Sequence, residues 1–414
     1  MKILNLFTYD YPTEGNDHFF IEDEIKMLSE TFDYINIIPL KWDSKFKENY
    51  INKENLNYDF SLSQSLFKIK TIIKILFKII FCKILWHEIF KIKKKKILKK
   101  ISIILKERIL AENTYLWVKN KKKEIPNKEI FYSYWSNHTL LSFYLLKKEN
   151  IINKCFARTL GSDLNGFIPN DDFVAFKKLK FQMLDFLIIL NEGQRKKLKT
   201  EKLINDDKVI KCYQGINLQI FKEKQKLDKK IHILSCGQLI YVKNTLQIVN
   251  FIQAFSKVAK DYEIIYTCIG SGPDFVNVKK AAELKLKHIK FNLIEKVPNL
   301  IDFLKKNQID LYINLSRSEG MSFAVMEAMS FSIPIICSKI PGNTEIVNNS
   351  NGYVLHSYEN EDVNNLIKNI LDDLKSSNFN QKRTLTFKTI KEKIDRNIAI
   401  RDMRNLLSKK YLLD

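Results

Sequence analysis

Cysteine is scarce in this sequence, and the cysteines lie far apart. Six occur among 414 residues, and no two of them form a Cys-x-x-Cys pair. Short secreted scaffolds need paired cysteines for disulfides, and zinc ribbons need them as ligands, so both classes are excluded. We therefore expect reduced thiols and a cytosolic protein.

Long apolar segments are also missing. The longest charge-free run spans residues 131–146 and contains Ser, Asn, His and Thr, whereas a membrane-spanning helix needs about 20 predominantly apolar residues. Residues 1–7 are typical of a buried strand, and Asp10, Glu14 and Asp17 follow them closely, which a signal peptide would not show. The sequence therefore predicts no spanning helix and no cleaved leader.

Motifs for metal chemistry are absent in their usual forms. The sequence has no His-Glu-x-x-His, no Walker loop, no Cys/His cluster and no Asp-x-Asp pair placed for a metal. We therefore expect no metal and no bound cofactor.

One glycine turn, Gly270-Ser-Gly272-Pro273, follows a strand-like run and precedes a helix-like run, which is the context that a phosphate-binding turn requires.

Acidic residues are too few to balance the basic ones. The chain has 69 Lys and Arg against 47 Asp and Glu, a formal net charge of +22. Half of this excess comes from residues 66–100, which contain twelve lysines and one acid, Glu88. A genome rich in A and T also raises lysine content without any function, so the functional argument depends on the local cluster.

The lysine-rich segment has the pattern of an amphipathic helix. Lys70, Lys74 and Lys78 recur every four residues. The apolar arc beside them contains Ile69, Ile72, Ile73, Leu76, Phe77 and Ile80. Trp86, Phe90 and four lysines at 93–96 come after it in the sequence. Such a helix suits an anionic membrane surface. Two alternatives stay open: the arc packs on the protein's own core, or the lysines bind nucleic acid, which the lack of interleaved aromatics disfavours.

Elsewhere the pattern alternates between strands and helices. A chain of 414 residues exceeds what one hydrophobic core usually supports, which indicates two domains. Strand-like runs are found at residues 1–7, 35–40, 129–134, 155–160, 186–190 and 209–213, and then at 263–269, 289–292, 309–315 and 333–337. The sequence therefore predicts an α/β protein with two doubly wound, Rossmann-like domains.

Two glutamates late in the chain carry the strongest functional signal. Glu319 lies in a loop after the run at 309–315, and Glu327 interrupts an apolar helical run at 323–331, whose first turn Ser322 is expected to cap. A carboxylate in such a setting needs hydrogen-bond donors, and sugar hydroxyls are suitable. The loop also presents backbone N–H groups and a helix N-terminus, which favour phosphate. The alternative for either residue alone is a solvated charge.

Taken together, residues 315–347 resemble the signature of family 4 glycosyltransferases of the GT-B fold. The shared pattern is Glu-Gly, a short run and Glu-Ala, with Pro334 on the next strand and Gly342 and Glu345-Ile-Val after it. The resemblance implies two Rossmann-like domains facing a cleft. It also implies retaining, metal-independent transfer of a hexosyl group from a nucleotide-sugar.

The resemblance assigns roles on the donor side. Glu319 would contact the donor sugar, Glu327 the nucleotide ribose and Lys243 the diphosphate, so Glu319 and Lys243 are the expected catalytic residues. Further donor contacts are expected at Gly237, Gln238, Gly272, Gly320, Met321 and Ser322. Gln238 stands where the family usually has an arginine, and Asn244 stands where it usually has a glycine.

The resemblance assigns the acceptor side less firmly. It implies contacts at Gly15, His138, Arg158 and Asp163, and Leu160 stands where a histidine is common in the family. An ordinary turn glycine is the alternative for Gly15. A structural histidine at a helix start is the alternative for His138.

The expected domain order follows from the same resemblance. An acceptor-side domain would occupy residues 1–217, with a basic helical insertion at about 62–125. A nucleotide-sugar domain would occupy 218–390, and a C-terminal helix at 391–414 would cross back to the first domain.

The expected partners are a nucleotide-sugar donor and a saccharide or lipid-linked saccharide acceptor of bacterial surface polysaccharide synthesis, with UDP-sugars favoured over GDP-sugars. Residues 66–100 would hold the chain peripherally on the inner face of the plasma membrane, and no nucleic acid is expected. The alternative function is a sugar-nucleotide-binding or membrane-surface protein without catalysis, motivated by Gln238 and Leu160.

Overall fold

The computed structural model of the chain describes residues 2–13, 18–41, 48, 50–65, 69–92, 95–121, 129–166, 171–219 and 229–412. The chain folds into two compact units, the first made of Met1–Cys212 and Ile400–Asp414 and the second of Tyr213–Ala399. These junctions lie near, but not at, the positions 217 and 390 that the sequence indicated.

The first unit is built on a seven-stranded parallel sheet in the order β3-β2-β1-β4-β5-β6-β7. Its strands are β1 Ile3–Thr8, β2 Tyr34–Pro39, β3 Leu56–Tyr58, β4 Glu129–Ser133, β5 Lys154–Arg158, β6 Phe186–Ile189 and β7 Val209–Lys211. Neighbouring residues point to opposite faces: Leu6 packs in one apolar cluster and Phe7 in another. Because both faces are covered, the central strands are continuous apolar runs.

Nine helices belong to the described residues of this unit before Cys212. They are α1 His18–Ser29, α2 Ser61–Ser65, α3 Ile69–Ile80, α4 Lys83–Phe90, α5 Ile97–Lys121, α6 His138–Lys148, α7 Ser162–Asn165, α8 Lys177–Gln182 and α9 Glu192–Thr200. The start of α9 is fixed by its sequence, because the Asn191 side chain accepts from Gln194 N in a capping box.

Helices α2 to α5 occupy the segment where a helical insertion was predicted, and α3, α4 and α5 share an apolar core cluster. Ile75 and Ile79 of α3 are fully buried with Ile104 and Ala111 of α5 and with Phe176. One face of α3 is therefore used to hold the insertion together.

The second unit is a six-stranded parallel sheet in the order β10-β9-β8-β11-β12-β13. Its strands are β8 Lys230–Cys236, β9 Glu263–Ile269, β10 Lys290–Ile294, β11 Leu311–Asn314, β12 Ile335–Ser338 and β13 Gly352–Leu355. The helices are α10 Thr245–Val258, α11 Phe275–Lys285, α12 Leu300–Lys306, α13 Phe323–Ser330, α14 Pro341–Thr344, α15 Asn360–Leu374 and α16 Asn378–Lys393. The next helix, α17 Arg396–Leu407, begins in the second unit and continues into the first.

Strand β8 is the topological switch point of this sheet. The chain leaves β8 for β9 on one side, and β11 is later added on the other side. The loops after β8 and β11 therefore diverge and leave a crevice at the carboxyl ends of the strands, where ligands bind in open α/β sheets.

The last residues of the chain complete the core of the first unit. Met403 and Leu407 of α17 are buried in the cluster that contains Leu6. The Tyr411 ring lies 5.8 Å from the Phe156 ring and 5.6 Å from the Phe186 ring. The expected α/β architecture with two Rossmann-like units is confirmed.

Candidate functional site

The functional side chains of the second unit lie where β8 and β11 end. Backbone pairing joins the two loops there, because Arg317 N donates to Val242 O at 2.8 Å. A small cavity opens at this point, and its lining includes Gly237, Gln238, Lys243, Asn314 and Ser316. Sequence-predicted donor residues are thus brought together at the switch point.

Glu319 is held by three side chains. Its Oε1 accepts from Lys243 Nζ at 2.6 Å, from Ser316 Oγ at 2.7 Å and from Asn314 Nδ2 at 3.4 Å. The Glu319 side chain is 9% exposed and that of Lys243 28% exposed. The close approach of Gly342 supports the same loop, since a Cβ there would lie 2.4 Å from Glu319 O. The carboxylate is therefore oriented before any ligand binds.

The carboxylate of Glu327 has different surroundings from that of Glu319. Its carboxylate lies on α13, and no hydrogen-bond donor contacts it within the described ranges of the chain. Burial raises its pKa from 4.5 to about 7, because the charged form loses hydration that nothing replaces. A ligand with hydroxyl donors would supply the missing hydrogen bonds.

Both carboxylates act electrostatically on the same buried hydroxyl, that of Tyr312. Burial raises the pKa of the Tyr312 hydroxyl, and the negative charges of Glu327 and Glu319 both add to this rise. The Tyr312 hydroxyl donates to Cys236 O at 2.9 Å, which places it at the end of β8. Both glutamates are therefore within electrostatic reach of the strand end that begins the crevice.

Residues Gly320, Met321 and Ser322 lead into the first turn of α13. All three are buried, and the first N–H groups of a helix lack helical partners and favour anions. The expected hydroxyl cap is wrong: Ser322 is at the N-cap position, but its side chain makes no capping hydrogen bond. The backbone N–H groups, rather than the Ser322 hydroxyl, are the chemical feature of this turn.

Gly272 is required by loop packing. Its φ is +148°, and a Cβ there would lie 2.5 Å from Leu239 O. Leu239 N in turn donates to Ser271 O at 2.8 Å, so the loops after β8 and β9 are joined through backbone. At Gly237, by contrast, a Cβ would meet only the Lys243 side chain, at 3.8 Å. Glycine at 272 therefore supports the site through the backbone.

Asn244 has a physical reason to replace glycine. Its φ is +54°, in the left-handed region that asparagine tolerates best after glycine. Its side chain donates to Leu315 O at 3.1 Å and accepts from Arg317 Nη2 at 2.8 Å. Asn244 thus keeps the turn and also joins the two loops.

Sequence reasoning missed Arg317. Its guanidinium lies 4.5 Å from the centre of the Tyr241 ring, and the residue is exposed. Arg317, on the loop after β11, adds a second cation near Lys243, which is on the loop after β8. Gln238, at the position usual for arginine, is exposed and uncharged. The available signal was an arginine two residues before Glu319.

On the first unit, His138 is buried at the start of α6. Burial lowers its pKa to about 4, with the charges of Lys180 and Lys106 adding to the effect and that of Glu107 opposing it. The imidazole is therefore neutral at pH 7. Gly15 lies outside the described residues, and the roles of both as acceptor contacts stay predictions.

Arg158 and Asp163 make structural contacts. Arg158 is 1% exposed. It donates to Glu24 Oε2 at 2.9 Å and to Cys212 O at 3.1 Å. Asp163 accepts from Ser136 N at 3.0 Å and from Gly161 N at 2.8 Å, which closes the turn after β5. Their expected acceptor contacts stay predictions, because these side chains are already used within the fold.

No metal-ligand cluster is found in the described ranges: no three His, Cys, Asp or Glu side chains are grouped there to hold an ion. The polar groups at or near the crevice include Lys243, Arg317, the carboxylates of Glu319 and Glu327 and the first backbone N–H groups of α13.

A family comparison covers the unit that carries this site. Residues 217–384 match the model of "Glycosyl transferases group 1". The GtfA subunit of UDP-N-acetylglucosamine–peptide N-acetylglucosaminyltransferase from Streptococcus agalactiae is 29% identical over 179 residues, which are 42% of this chain and 34% of that protein. The curated relatives are matched over about a third to a half of their length.

Solved structures match the whole chain. The sucrose-phosphate synthase of Thermosynechococcus elongatus has a TM-score of 0.72 at 10% identity, over 100% of both chains. The lipopolysaccharide outer core galactosyltransferase WaaB has a TM-score of 0.68 at 14% identity, over 99% of this chain and 100% of that one. The chain therefore carries a glycosyl transferases group 1 domain at residues 217–384, and it has the GT-B fold.

Proposed function

We propose that the chain is a retaining glycosyltransferase that moves a hexosyl group from a nucleotide-sugar to a saccharide or lipid-linked saccharide. The observation that supports the proposal is the Lys243–Glu319 ion pair at the strand-end crevice of the group 1 domain, with Glu327 within electrostatic reach of the same strand end. In the reaction, the bond between the anomeric carbon and the diphosphate oxygen breaks. A bond to the acceptor hydroxyl oxygen forms on the same face, and the hydroxyl proton passes to the departing phosphate.

The cationic groups of the crevice suit the leaving diphosphate. Negative charge develops on the departing oxygen, and preorganised donors aimed at it lower the barrier. Lys243 has three donor hydrogens, so its ammonium can hold Glu319 and still donate to phosphate. Arg317 and the first N–H groups of α13 add positive potential. This set requires no metal ion.

The two carboxylates suit the sugars of the donor. The Glu327 carboxylate is half-buried and has no hydrogen-bond partner among the described residues, and the hydroxyls of a ribose diol would supply the missing donors. Glu319, held by Lys243 and Ser316, would accept hydroxyls of the transferred hexose. We favour a UDP-sugar over a GDP-sugar, because the GtfA relative is named for UDP-N-acetylglucosamine.

The acceptor is proposed to be a saccharide of bacterial surface polysaccharide synthesis. WaaB, a structural neighbour over its full length, is named as a lipopolysaccharide galactosyltransferase. We propose a cytoplasmic chain held peripherally at the inner face of the plasma membrane. Among the described residues, no helix is long and apolar enough to cross a bilayer.

Loss of catalysis with retained sugar-nucleotide binding is the second candidate. It is favoured by Gln238, an uncharged side chain at the usual arginine position, and by Leu160, a half-buried apolar side chain at a usual histidine position.

A donor screen separates the two candidates. The purified chain is incubated with UDP- and GDP-hexoses and a mixture of saccharide acceptors, and nucleotide release and product mass are measured. Transfer that falls at least about a hundredfold in Lys243→Ala, but not in Lys279→Ala on α11, supports the enzyme. Nucleotide binding without release for any donor supports the second candidate.

A further inference from the structure

Helices α3 and α4 of the insertion carry an uncovered apolar face. Of the fourteen exposed large apolar side chains in the described part of the chain, eight fall between residues 73 and 98. They are Ile73, Phe77, Ile80, Phe81, Trp86, Phe90, Ile97 and Leu98. Single exposed apolar residues are ordinary, but a cluster of this kind marks an interaction surface.

The exposed residues of α3 form one stripe. Ile73, Phe77 and Ile80 are spaced by four and three residues, which places them on a single helical face. Ile75 and Ile79 point the other way and are fully buried against α5. The stripe therefore faces away from the insertion's own core.

Helix α4 extends this stripe. Trp86 Nε1 donates to Ile80 O at 2.6 Å, which holds the indole against the end of α3. The Trp86 and Phe90 rings lie 6.3 Å apart. We call Ile73, Phe77, Ile80, Phe81, Trp86 and Phe90 the apolar ridge. Phe81 and Phe90 are 82% and 81% exposed, so the ridge presents whole aromatic rings.

The charge beside the ridge is positive. The exposed lysines between residues 74 and 99, on these helices and in the turn between α4 and α5, include Lys74, Lys83, Lys91, Lys95 and Lys99. The one acid between residues 69 and 99, Glu88, accepts from Phe176 N at 2.7 Å and is thus engaged with the protein.

Two lysines of the basic segment pair with acids of the same chain, which spacing alone did not indicate. Lys78 Nζ pairs with the buried Glu112 at 2.6 Å and lies over the Tyr115 ring. Lys100 is buried and pairs with Asp171 at 2.7 Å. These side chains stabilise the insertion, and the apolar ridge is the feature that remains for a partner.

We propose that the apolar ridge docks onto an anionic phospholipid surface. The ridge side chains enter the boundary between headgroups and acyl chains, where aromatic residues are favoured, and the lysines beside them contact lipid phosphates. Charge complementarity selects this partner over a second copy of the chain, which would present the same positive lysines. The docking deepens the proposed function, since it would bring the enzyme to a lipid-linked acceptor.

Vesicle flotation tests the docking with the full-length chain, without donor or acceptor. We expect binding to vesicles of phosphatidylcholine with 30% phosphatidylglycerol, weaker binding to phosphatidylcholine alone, and loss at high salt, where charges are screened. Trp86 fluorescence should shift to the blue with the anionic vesicles, and Trp86→Phe should remove that part of the shift. No anionic-lipid binding by the wild-type chain would overturn the proposal.

Matched variants separate the ridge from the lysines. Phe77→Ser/Phe90→Ser removes two exposed rings, and Val276→Ser/Leu284→Ser on α11 is the control with similar exposure. We expect the ridge variant to bind at least about tenfold more weakly and the control to bind like wild type. The affinity for anionic vesicles should fall roughly fivefold per lysine in the variant Lys74→Gln/Lys83→Gln/Lys91→Gln. It should stay at the wild-type value in the control Lys279→Gln/Lys280→Gln/Lys287→Gln.

Three results would overturn the proposal. One is equal vesicle binding by the ridge variant and its control. A second is a concentration-dependent dimer that the ridge variant abolishes. A third is tight binding of the ridge to single-stranded nucleic acid with none to lipid. Sugar transfer to a soluble saccharide acceptor is expected to be unchanged in the ridge variant. A wild-type chain that binds vesicles but transfers sugar from no donor to any acceptor would count against the proposed function alone.

Discussion

Lys243 and Glu319 form an ion pair, with 2.6 Å between Nζ and Oε1, that joins the loop after β8 to the loop after β11. Ser316 Oγ donates to the same carboxylate oxygen at 2.7 Å. The pair places a cation and a fixed acceptor side by side at the switch point of the sheet. If the proposed function holds, a nucleotide-sugar would find its phosphate partner and its sugar partner already in place on the two loops.

Removal of the cation should affect chemistry more than fold. Lys243→Ala is expected to lower the rate of nucleotide release by about 10²- to 10³-fold, the usual cost of losing one group that stabilises a developing oxyanion. Lys243→Arg should recover part of the rate, because it keeps the charge. Turnover and thermal unfolding are measured side by side. Wild-type turnover in Lys243→Ala would remove this residue from the mechanism.

Glu327 should make stability depend on pH. Its pKa is about 7 in the folded chain against 4.5 as a free group, so the folded state binds more protons between these values. The preferential protonation of Glu327 in the folded chain adds to the free energy of unfolding. This contribution is fully present below about pH 4.5 and is lost as the pH rises through 7, a change of about 3 kcal/mol.

Substitution of Glu327 by glutamine removes this dependence. The stability of Glu327→Gln relative to wild type should therefore rise by about 3 kcal/mol between pH 4.5 and pH 8, as measured by urea unfolding. Glu283→Gln, on the exposed face of α11, is the control for loss of a carboxylate. A difference between Glu327→Gln and wild type that stays constant with pH would show that the pKa of Glu327 is the same in the folded and unfolded chain, which would contradict the raised value.

Gly272 and Gly237 offer a matched pair of glycines at one site. Gly272→Ala is expected to lower the free energy of unfolding by roughly 1–3 kcal/mol, because its φ is strained for alanine and the new Cβ meets backbone. Gly237→Ala should stay within about 0.5 kcal/mol of wild type, because the position is open. Denaturant unfolding of both variants checks this, and equal effects would contradict the loop packing.

Local patterns in the sequence were enough for most strands of the two sheets, though not for the short strands β3 and β13, and they singled out the paired glutamates. Buried parallel strands are unbroken apolar runs, and Glu319 and Glu327 stand in a motif whose spacing sets their place on one βαβ unit. The partners of Lys78 and Lys100 were beyond such reasoning, because Glu112 and Asp171 are distant in sequence and only tertiary packing brings them close. The spacing of the lysines predicted a stripe on one helical face. It could not predict which ammonium groups would pair with acids of the same chain.

The same limit applies to Arg158, which the motif assigned to the acceptor and the fold uses as a buried ion. Its guanidinium pairs with Glu24 at 2.9 Å, and the Tyr132 hydroxyl donates to the other Glu24 oxygen at 2.6 Å. Arg158→Met should cost about 3–5 kcal/mol, because the Glu24 carboxylate is left nearly buried without its cation.

The double variant Arg158→Met/Glu24→Gln distinguishes a structural role from acceptor binding. It removes both charges together, so we expect it to recover most of the lost stability. At 1% exposure, Arg158 is closed to a ligand, so the KM for acceptor in the recovered variant should equal that of wild type. A raised KM at wild-type stability would instead assign Arg158 to the acceptor, and the first unit would have to open around it.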